Sequence, residues 1–544
     1  MTLHEFDRRR ALQRIADEPF DVLVVGGGIT GAGVALDAAS RGLRAALVER
    51  DDFASGTSSK SSKLVHGGLR YLQHGEFRLV YEALAERQTA LRNAPHLVRP
   101  LPFLIPMFSK DGFLNPRLAR ALGVAMWQYD LTGGMRIGAR HRRLSRAEVV
   151  ERAAVLDTPR LHSGYLYHDA QADDARYTLA ILRTAACDHG AAVAARCAFV
   201  GRSAVQGSDE TVFAVEADGE RIEVRAAVLV NATGVWSDRV ASLAGDAAPL
   251  ALRPAKGVHI TLPRSLLPID VAIVLPVPGD RRSVFVVPWD DHAYVGTTDT
   301  DYDGPLDDVL CTPEEVDYLL RALNAAIATP VRPADVVGSW AGLRPLVAGA
   351  GNTVDLSRRH TVAIAGGDVV NVTGGKLTTW RRMAADAVDA ALPILNKERR
   401  CRTRWLRLRG SEGWDRISGG GVDPDLAEHL AGRYGGEARI VLALMAERPE
   451  LAEPLVPGLP YRRAEAVFAA RYEQAGSVDD VLSRRTRARL LDRDASAASA
   501  QLVAELMGDE LGWGPERRLR EVRAYLDSVE RERAALEPAA AAAS

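Results

Sequence analysis

The sequence predicts an α/β protein that opens with a Rossmann-like βαβ unit, continues into a second sheet-rich region and ends in helices. Three observations carry that reading. A strand-type apolar run, Asp21 to Val25, leads directly into Gly26-Gly-Gly-Ile-Thr-Gly31; strand-like runs recur between 245 and 340; and beyond about residue 400 the pattern is helical almost throughout. The 544 residues allow roughly three to four domain-sized units, and 47% apolar residues fill real cores, so a fibrous or disordered chain is excluded. With 69 basic against 71 acidic residues, the net charge of -2 gives no global basic field for nucleic acid. The four cysteines (Cys187, Cys197, Cys311 and Cys401) form no C-x-x-C pair. They support neither a zinc site nor a disulfide framework, and they fit a reducing cytosol. No apolar segment follows Arg8–Arg10, and no stretch reaches the roughly 20 apolar residues of a spanning helix. The expectation is a cytoplasmic protein, soluble or lying on a membrane surface.

Taken in order, residues 1–18 read as a short helix, with Leu3, Phe6, Leu12 and Ile15 among charges. After the first strand and the glycines, Ala32 to Arg41 reads as a helix and Leu43 to Glu49 as a second strand ending in an acid. Residues 53–68, rich in Ser, Gly and Lys, cannot form one regular element. Phe77 to Arg92 has helical apolar spacing, and Asn115-Pro116 is a helix start for an amphipathic candidate at 113–129. Strand-like runs follow at Ala226–Val230, His259–Leu262, Val284–Val287 and Tyr294–Gly296. Two more short strands fit within 361–372, before Thr373-Gly-Gly-Lys-Leu-Thr-Thr379 opens a helix. Pro454, Pro457 and Pro460 break the helical C-terminal region, and the tail, 536–544, reads as disordered.

Gly26-x-Gly28-x-x-Gly31 between strand and helix is a dinucleotide fingerprint. Gly26 allows the tight turn, Gly28 lets backbone approach a pyrophosphate, and Gly31 lets helix and strand pack closely. The helix N-terminus offers free N–H groups and the positive end of its dipole. Glu49, 18 residues after Gly31, stands where an acid bonds a ribose hydroxyl, which disfavours NADP and leaves FAD and NAD open. Three further segments favour FAD. Asn231-Ala-Thr-Gly234 ends a strand and places Thr233 and Gly234 by the cofactor. Gly375, Leu377 and Thr378 start a late helix that can face a flavin. Ser58, Ser59, Ser61, Ser62 and Lys63 supply hydroxyls and a cation.

These residues carry a resemblance. Gly26 to Gly33, Ser58-Ser-Lys-Ser-Ser-Lys-Leu-Val-His-Gly-Gly-Leu-Arg-Tyr71, Lys256-Gly-Val-His259, Val295-Gly-Thr-Thr-Asp299, Gly342-Leu-Arg-Pro345 and Gly374 to Thr379 occur in the same order in the FAD-dependent glycerol-3-phosphate dehydrogenases. The similarity runs from about 20 to 385, and Asp480-Val-Leu-Ser-Arg-Arg-Thr486 extends it. The resemblance implies oxidation of sn-glycerol 3-phosphate to dihydroxyacetone phosphate, by hydride transfer from C2 to N5 of FAD. Electrons would then pass to a quinone at the inner face of the cell membrane, with the protein peripheral there and a homodimer; no metal and no nucleic acid are involved. It also implies a discontinuous FAD-binding domain (1–85, 160–243 and 340–396), a substrate-binding domain with an antiparallel sheet (86–159 and 244–339) and a helical C-terminal domain (400–535). The alternative within the same chemistry is an oxidase producing hydrogen peroxide. An amine or amino-acid oxidase shares the fold without needing phosphate cations.

Arg70 and Arg344 match family positions that face substrate, and the planar fork of Arg suits a phosphate dianion; Tyr71 could hydrogen-bond the phosphate, and the Lys376 charge could favour reduced flavin or a substrate oxygen. His259 and His66 are the base candidates, with His259 ranked first because His66 adjoins the cofactor loop. Arg344 or Lys376 could instead stabilise an alkoxide. One departure is Arg359 in Ser357-Arg-Arg-His360, where the family shows an acid. Residues 113–129, with Arg140, Arg142 and Arg143 nearby, could lie in a membrane interface.

Overall fold

The structure is a computed structural model that describes residues 6–68, 76–108, 123, 126–131, 137–203, 212–245, 251–280, 282–347, 360–417 and 422–537. Arg70, Tyr71, Arg359, the 538–544 tail and most of the 113–129 candidate lie outside these residues; 126–131 is helical.

Phe20–Val25 is buried along its whole length and is apolar apart from Asp21, whose carboxylate pairs with Lys397 at 2.8 Å. It is the middle of five parallel strands, ordered Val369–Thr373, Glu220–Asn231, Phe20–Val25, Ala45–Val48 and Ala192–Ala194. Thr361–Ala365 joins one edge antiparallel. The helix expected from Ala32 starts earlier, as Ile29–Ser40 with Gly28 at its N-cap, because the Ser58 hydroxyl accepts the Ile29 N–H at 2.8 Å and closes the first turn from outside. All but one of the twelve residues in this helix are buried, between the helices Asp174–Cys187 and Trp380–Ile394. Gly33 makes that approach possible: a Cβ there would stand 2.6 Å from Trp380 and 3.0 Å from Ala384.

The second sheet has ten strands, antiparallel except where Ala272–Pro276 meets Val98–Phe108. Towards one end of it, Leu252–Pro263 pairs with Gly338–Val347 and with His292–Gly296. The runs expected at 226–230, 259–262, 284–287 and 294–296 are parts of longer strands. Leu64–Val65, Leu161–Ala172 and Gly338–Val347 also belong to this sheet, so its membership crosses the boundaries expected at 85, 160 and 340. After 400 the chain is helical around its own apolar core, with the proline break between Ala438–Glu447 and Arg463–Tyr472.

Ion pairs that lack solvent join the helical region to the rest. Arg485 holds Asp52 with two hydrogen bonds of 2.8 Å, and Arg176 holds Glu473 at 2.7 and 2.8 Å. Asp174 accepts from Ser61 N and Oγ (3.0 and 2.7 Å), from Lys63 Nζ (3.3 Å) and from Arg487, which also donates to the Ser59 carbonyl at 2.8 Å. Burial, then Arg487, brings the Lys63 ammonium down to about 7, so Lys63 can shed its charge where Arg487 cannot.

Two stability predictions follow from these contacts. Gly33→Val should lower stability by about 1–3 kcal/mol through overpacking against Trp380, read as a lower Tm. Asp174→Asn leaves the buried Arg487 charge with only the longer Asp173 contact at 3.5 Å; a loss of roughly 3 kcal/mol is expected in denaturant unfolding, with looser cofactor retention, and an unchanged midpoint would contradict it.

Candidate active site

The two sheets and the late helix enclose a groove of about 550 Å³. Gly26, Gly28, Ile29 and Thr30 line it together with Glu49, Ser58, Ser62, Thr233 and Gly234, with Gly375, Lys376, Leu377 and Thr378, and with Phe199 and Leu243. The glycines are required by space. At Gly26 (φ +107°) a Cβ would meet the Ala232 carbonyl oxygen at 2.8 Å, and at Gly31 it would meet the Gly26 oxygen at 1.9 Å. Gly31 therefore packs against Gly26, outside the groove lining. Glu49 accepts from Gly27 N at 2.6 Å and from Asp51 N at 2.9 Å, and desolvation raises its carboxyl to about 7. Gly374 and Gly375 (φ +74° and +83°) turn the chain so that the one-turn helix Leu377–Thr379, leading into Trp380–Ile394, starts at the groove.

This donor set fits FAD. A glycine cradle and a helix N-terminus suit the pyrophosphate, and an acid at the end of the second strand suits a ribose. A second helix start beside Lys376 suits a ring that gains negative charge on reduction.

His66, His259, Arg344 and Lys376 all line this groove. Arg344 is fixed by Asp299 (3.2 Å), Thr297 Oγ1 (3.0 Å) and the Thr298 carbonyl (3.1 Å), and Gly257 leaves room for its guanidinium, since a Cβ there would come within 2.4 Å. His259 is buried. Its Nε2 meets Ser62 Oγ at 2.8 Å, and its ring stacks on Trp340 at 4.7 Å with 7° between planes. Desolvation, with Lys63 and Arg344 nearby, holds its imidazole well below the ordinary histidine range. His66 is half-buried in the wall, edge-on to Phe285 at 6.4 Å; Thr378 Oγ1 accepts from its N–H at 3.2 Å.

Two expected cofactor residues stand elsewhere. Ser59 and Lys63 do not line the groove. The Ser59 carbonyl accepts from Lys63 and Arg487, and Lys63 turns onto Asp174 and over the Trp340 ring at 4.5 Å, because an ammonium at that depth needs a carboxylate. Trp340 and Tyr294 were not singled out by the sequence. They donate to the Ser61 and Ser62 carbonyls at 3.2 and 2.8 Å and so set the serine-rich loop against the second sheet. Their only sequence signal is an aromatic beside a quoted motif.

Comparison with known proteins agrees with this architecture. A family described as "FAD dependent oxidoreductase" matches residues 21–381, and one described as "C-terminal domain of alpha-glycerophosphate oxidase" matches 401–518. Glycerol-3-phosphate dehydrogenase 2 of Mycobacterium tuberculosis is 40% identical over 539 residues, covering 96% of this chain and 90% of the relative. The mitochondrial glycerol-3-phosphate dehydrogenase of Mesocricetus auratus is 36% identical, covering 92% of this chain and 72% of the relative. The crystal structure of glycerol-3-phosphate dehydrogenase from Bacillus halodurans complexed with FAD superposes with a TM-score of 0.79 at 28% identity, over 99% of this chain and 100% of that one. With a glycine cradle built for FAD and these relatives along nearly its whole length, the chain belongs to the FAD-dependent glycerol-3-phosphate dehydrogenase family.

Proposed function

We propose that this protein oxidises sn-glycerol 3-phosphate to dihydroxyacetone phosphate and passes the electrons to a membrane quinone. The observation that carries the reading is that Arg344, Lys376, His66 and His259 all line the FAD groove. Bound FAD supplies the two-electron acceptor for the hydride leaving C2. Arg344, held rigid by Asp299, the Thr297 hydroxyl and the Thr298 carbonyl, presents its fork to substrate oxygens, with Lys376 as the second cation. Arg70 and Tyr71 complete the phosphate set by their place in the family motif.

For the proton of the C2 hydroxyl, burial reverses the order given by the sequence. A proton gained by His259 would create an imidazolium beside Lys63 and Arg344 without water around it. His259 therefore serves as a neutral partner that orients Ser62, and His66 is the base.

Exposed apolar residues support a peripheral place on the cytoplasmic membrane face. The helices Phe77–Asn93 and 126–131 pack together through Val80, Leu84, Met126 and Tyr129. Their outer sides carry Phe77, Tyr81, Trp127 (52% exposed) and Leu131 (73% exposed). No helix among the described residues is long and apolar enough to cross a membrane. We take the assembly to be a homodimer, on the family resemblance. The C-terminal match to alpha-glycerophosphate oxidase favours a second reading, in which oxygen is the acceptor and hydrogen peroxide the product.

One experiment tests both. Glycerol 3-phosphate added without oxygen should bleach the flavin absorbance of the holoenzyme, and a yellow protein that does not bleach would sink the substrate assignment. On readmitting air, slow recovery that a soluble quinone accelerates is expected; fast recovery with stoichiometric peroxide would instead mark the oxidase.

Glu49 adds a pH dependence. Its carboxyl is neutral below about 7, and only the ionised form offers a full acceptor to a ribose hydroxyl, so FAD affinity should rise from pH 6 to pH 8. Glu49→Gln should flatten that rise in a fluorescence titration; an equally steep rise in the variant would remove Glu49 from the cofactor set.

A further inference from the structure

Beneath His66 lies a group of polar side chains that neither the cofactor nor the substrate reading uses. Arg87, Tyr129 and Asp169 come from the helix Phe77–Asn93, the segment 126–131 and the strand Leu161–Ala172, and all three are buried. The Asp169 carboxylate accepts from Arg87 Nη1 at 2.5 Å and from the Tyr129 hydroxyl at 2.7 Å. Arg87 Nη1 also donates to the His168 carbonyl at 3.0 Å. The group ends on the backbone of the next residue after His66: Gly67 N–H is shared between Tyr129 Oη and Asp169 Oδ1, each at 3.2 Å. No side chain fits at Gly67, where a Cβ would meet Leu84 at 2.4 Å and Tyr129 Oη at 2.6 Å. From the other side, the Thr378 hydroxyl accepts from His66 N at 3.2 Å and donates to the His66 carbonyl at 3.4 Å.

We infer that Tyr129 and Asp169, backed by Arg87, are positioning residues that fix the His66–Gly67 backbone and so aim the imidazole into the groove; the inference rests on the reading of His66 as the base. Stability alone does not account for the cluster. A buried ion pair is often no better than a well-packed apolar group of the same volume. What the carboxylate and phenol offer that leucine cannot is an acceptor fixed in space for one particular N–H. The two anchors come from opposite directions, Thr378 from the cofactor helix and Tyr129 with Asp169 from the second sheet and its covering helix. With both in place the His66 peptide has little freedom to rotate, and misplacement of a catalytic group by even 1 Å is costly to rate.

The test uses holoenzyme and the variants Tyr129→Phe, His66→Asn and the double variant. Tyr129→Phe removes one of the two Gly67 acceptors and little volume. It should keep the bound-flavin spectrum and FAD content, lower kcat about 10-fold with KM changed less than about 3-fold, and shift the acid limb of the kcat–pH profile. In the His66→Asn background the same change should cost nothing more, since the two residues act as one unit. Wild-type kcat in Tyr129→Phe, or a full 10-fold penalty added on top of His66→Asn, would overturn the positioning role. Wild-type activity in His66→Asn would instead overturn the choice of base. Should Tyr129→Phe fold poorly, the paired change Arg87→Met with Asp169→Asn removes both charges together and keeps an amide oxygen as acceptor for Gly67. It should retain FAD and show a milder kcat loss with the same pH shift; unaltered kinetics there would equally reject the proposal.

Discussion

Much of this molecule hangs on the Asp174 carboxylate. It stands at the start of a helix behind the cofactor sheet and takes hydrogen bonds from Ser61, Lys63 and Arg487. Each partner leads to a different part of the protein. Ser61 and Ser62 form the groove wall and reach His259. Lys63 lies over Trp340 in the second sheet. Arg487 belongs to the helical C-terminal region and holds the Ser59 carbonyl. An ion cluster with essentially no solvent has strong geometric demands, because each charge pays a desolvation penalty unless its partners are in place. Three regions of chain are thereby brought to one mutual arrangement beside the cofactor groove.

The same logic recurs around it. Arg485 on Asp52 and Arg176 on Glu473 repeat the pattern of a C-terminal group paired with a carboxylate or guanidinium of the cofactor region. Much of the arginine here is structural, and the helical C-terminal region works as a backing plate for residues 50–63. This gives the Asp480–Thr486 segment a physical role: its charged residues seat the loop that carries Ser58 and Ser62.

Local constraints made part of this legible in the sequence. The strand–glycine–helix unit, the acid at Glu49 and the late glycine turn each need particular residue types at fixed spacing, and those residues reach the groove. Other features were invisible because they depend on partners hundreds of residues away. Asp173 caps the helix that Asp174 begins, and nothing nearby in the sequence marks Lys63 or Arg487 as counter-charges. Lys63 illustrates the failure well: a cation in a serine-rich loop looks like a phosphate ligand until its depth is known. The sequence ranks His259 above His66 only on the adjacency of His66 to the cofactor loop, whereas the deciding quantity is what surrounds each ring. Asp169 sits in a strand where one polar residue among apolar neighbours carries no label. The sheet boundaries slipped for a similar reason: a strand's sheet is set by pairing across the fold, which composition does not encode.

The groove itself has a consequence for the life of the protein. Its lining comes from 25–30, 49–66, 198–200, 232–243, 257–259, 285, 297, 342–346 and 374–383, so no contiguous stretch of chain contains a site that could recognise FAD. A ligand that binds the finished fold and ignores the unfolded chain shifts the folding equilibrium, by about 1.4 kcal/mol for each tenfold excess of free ligand over its Kd. Flavin supply thus acts on this protein twice, as the source of its redox chemistry and as a thermodynamic term in its survival. A cell short of flavin would lose the polypeptide to proteolysis as well as its activity, and the amount of protein present would itself report the state of the cofactor pool.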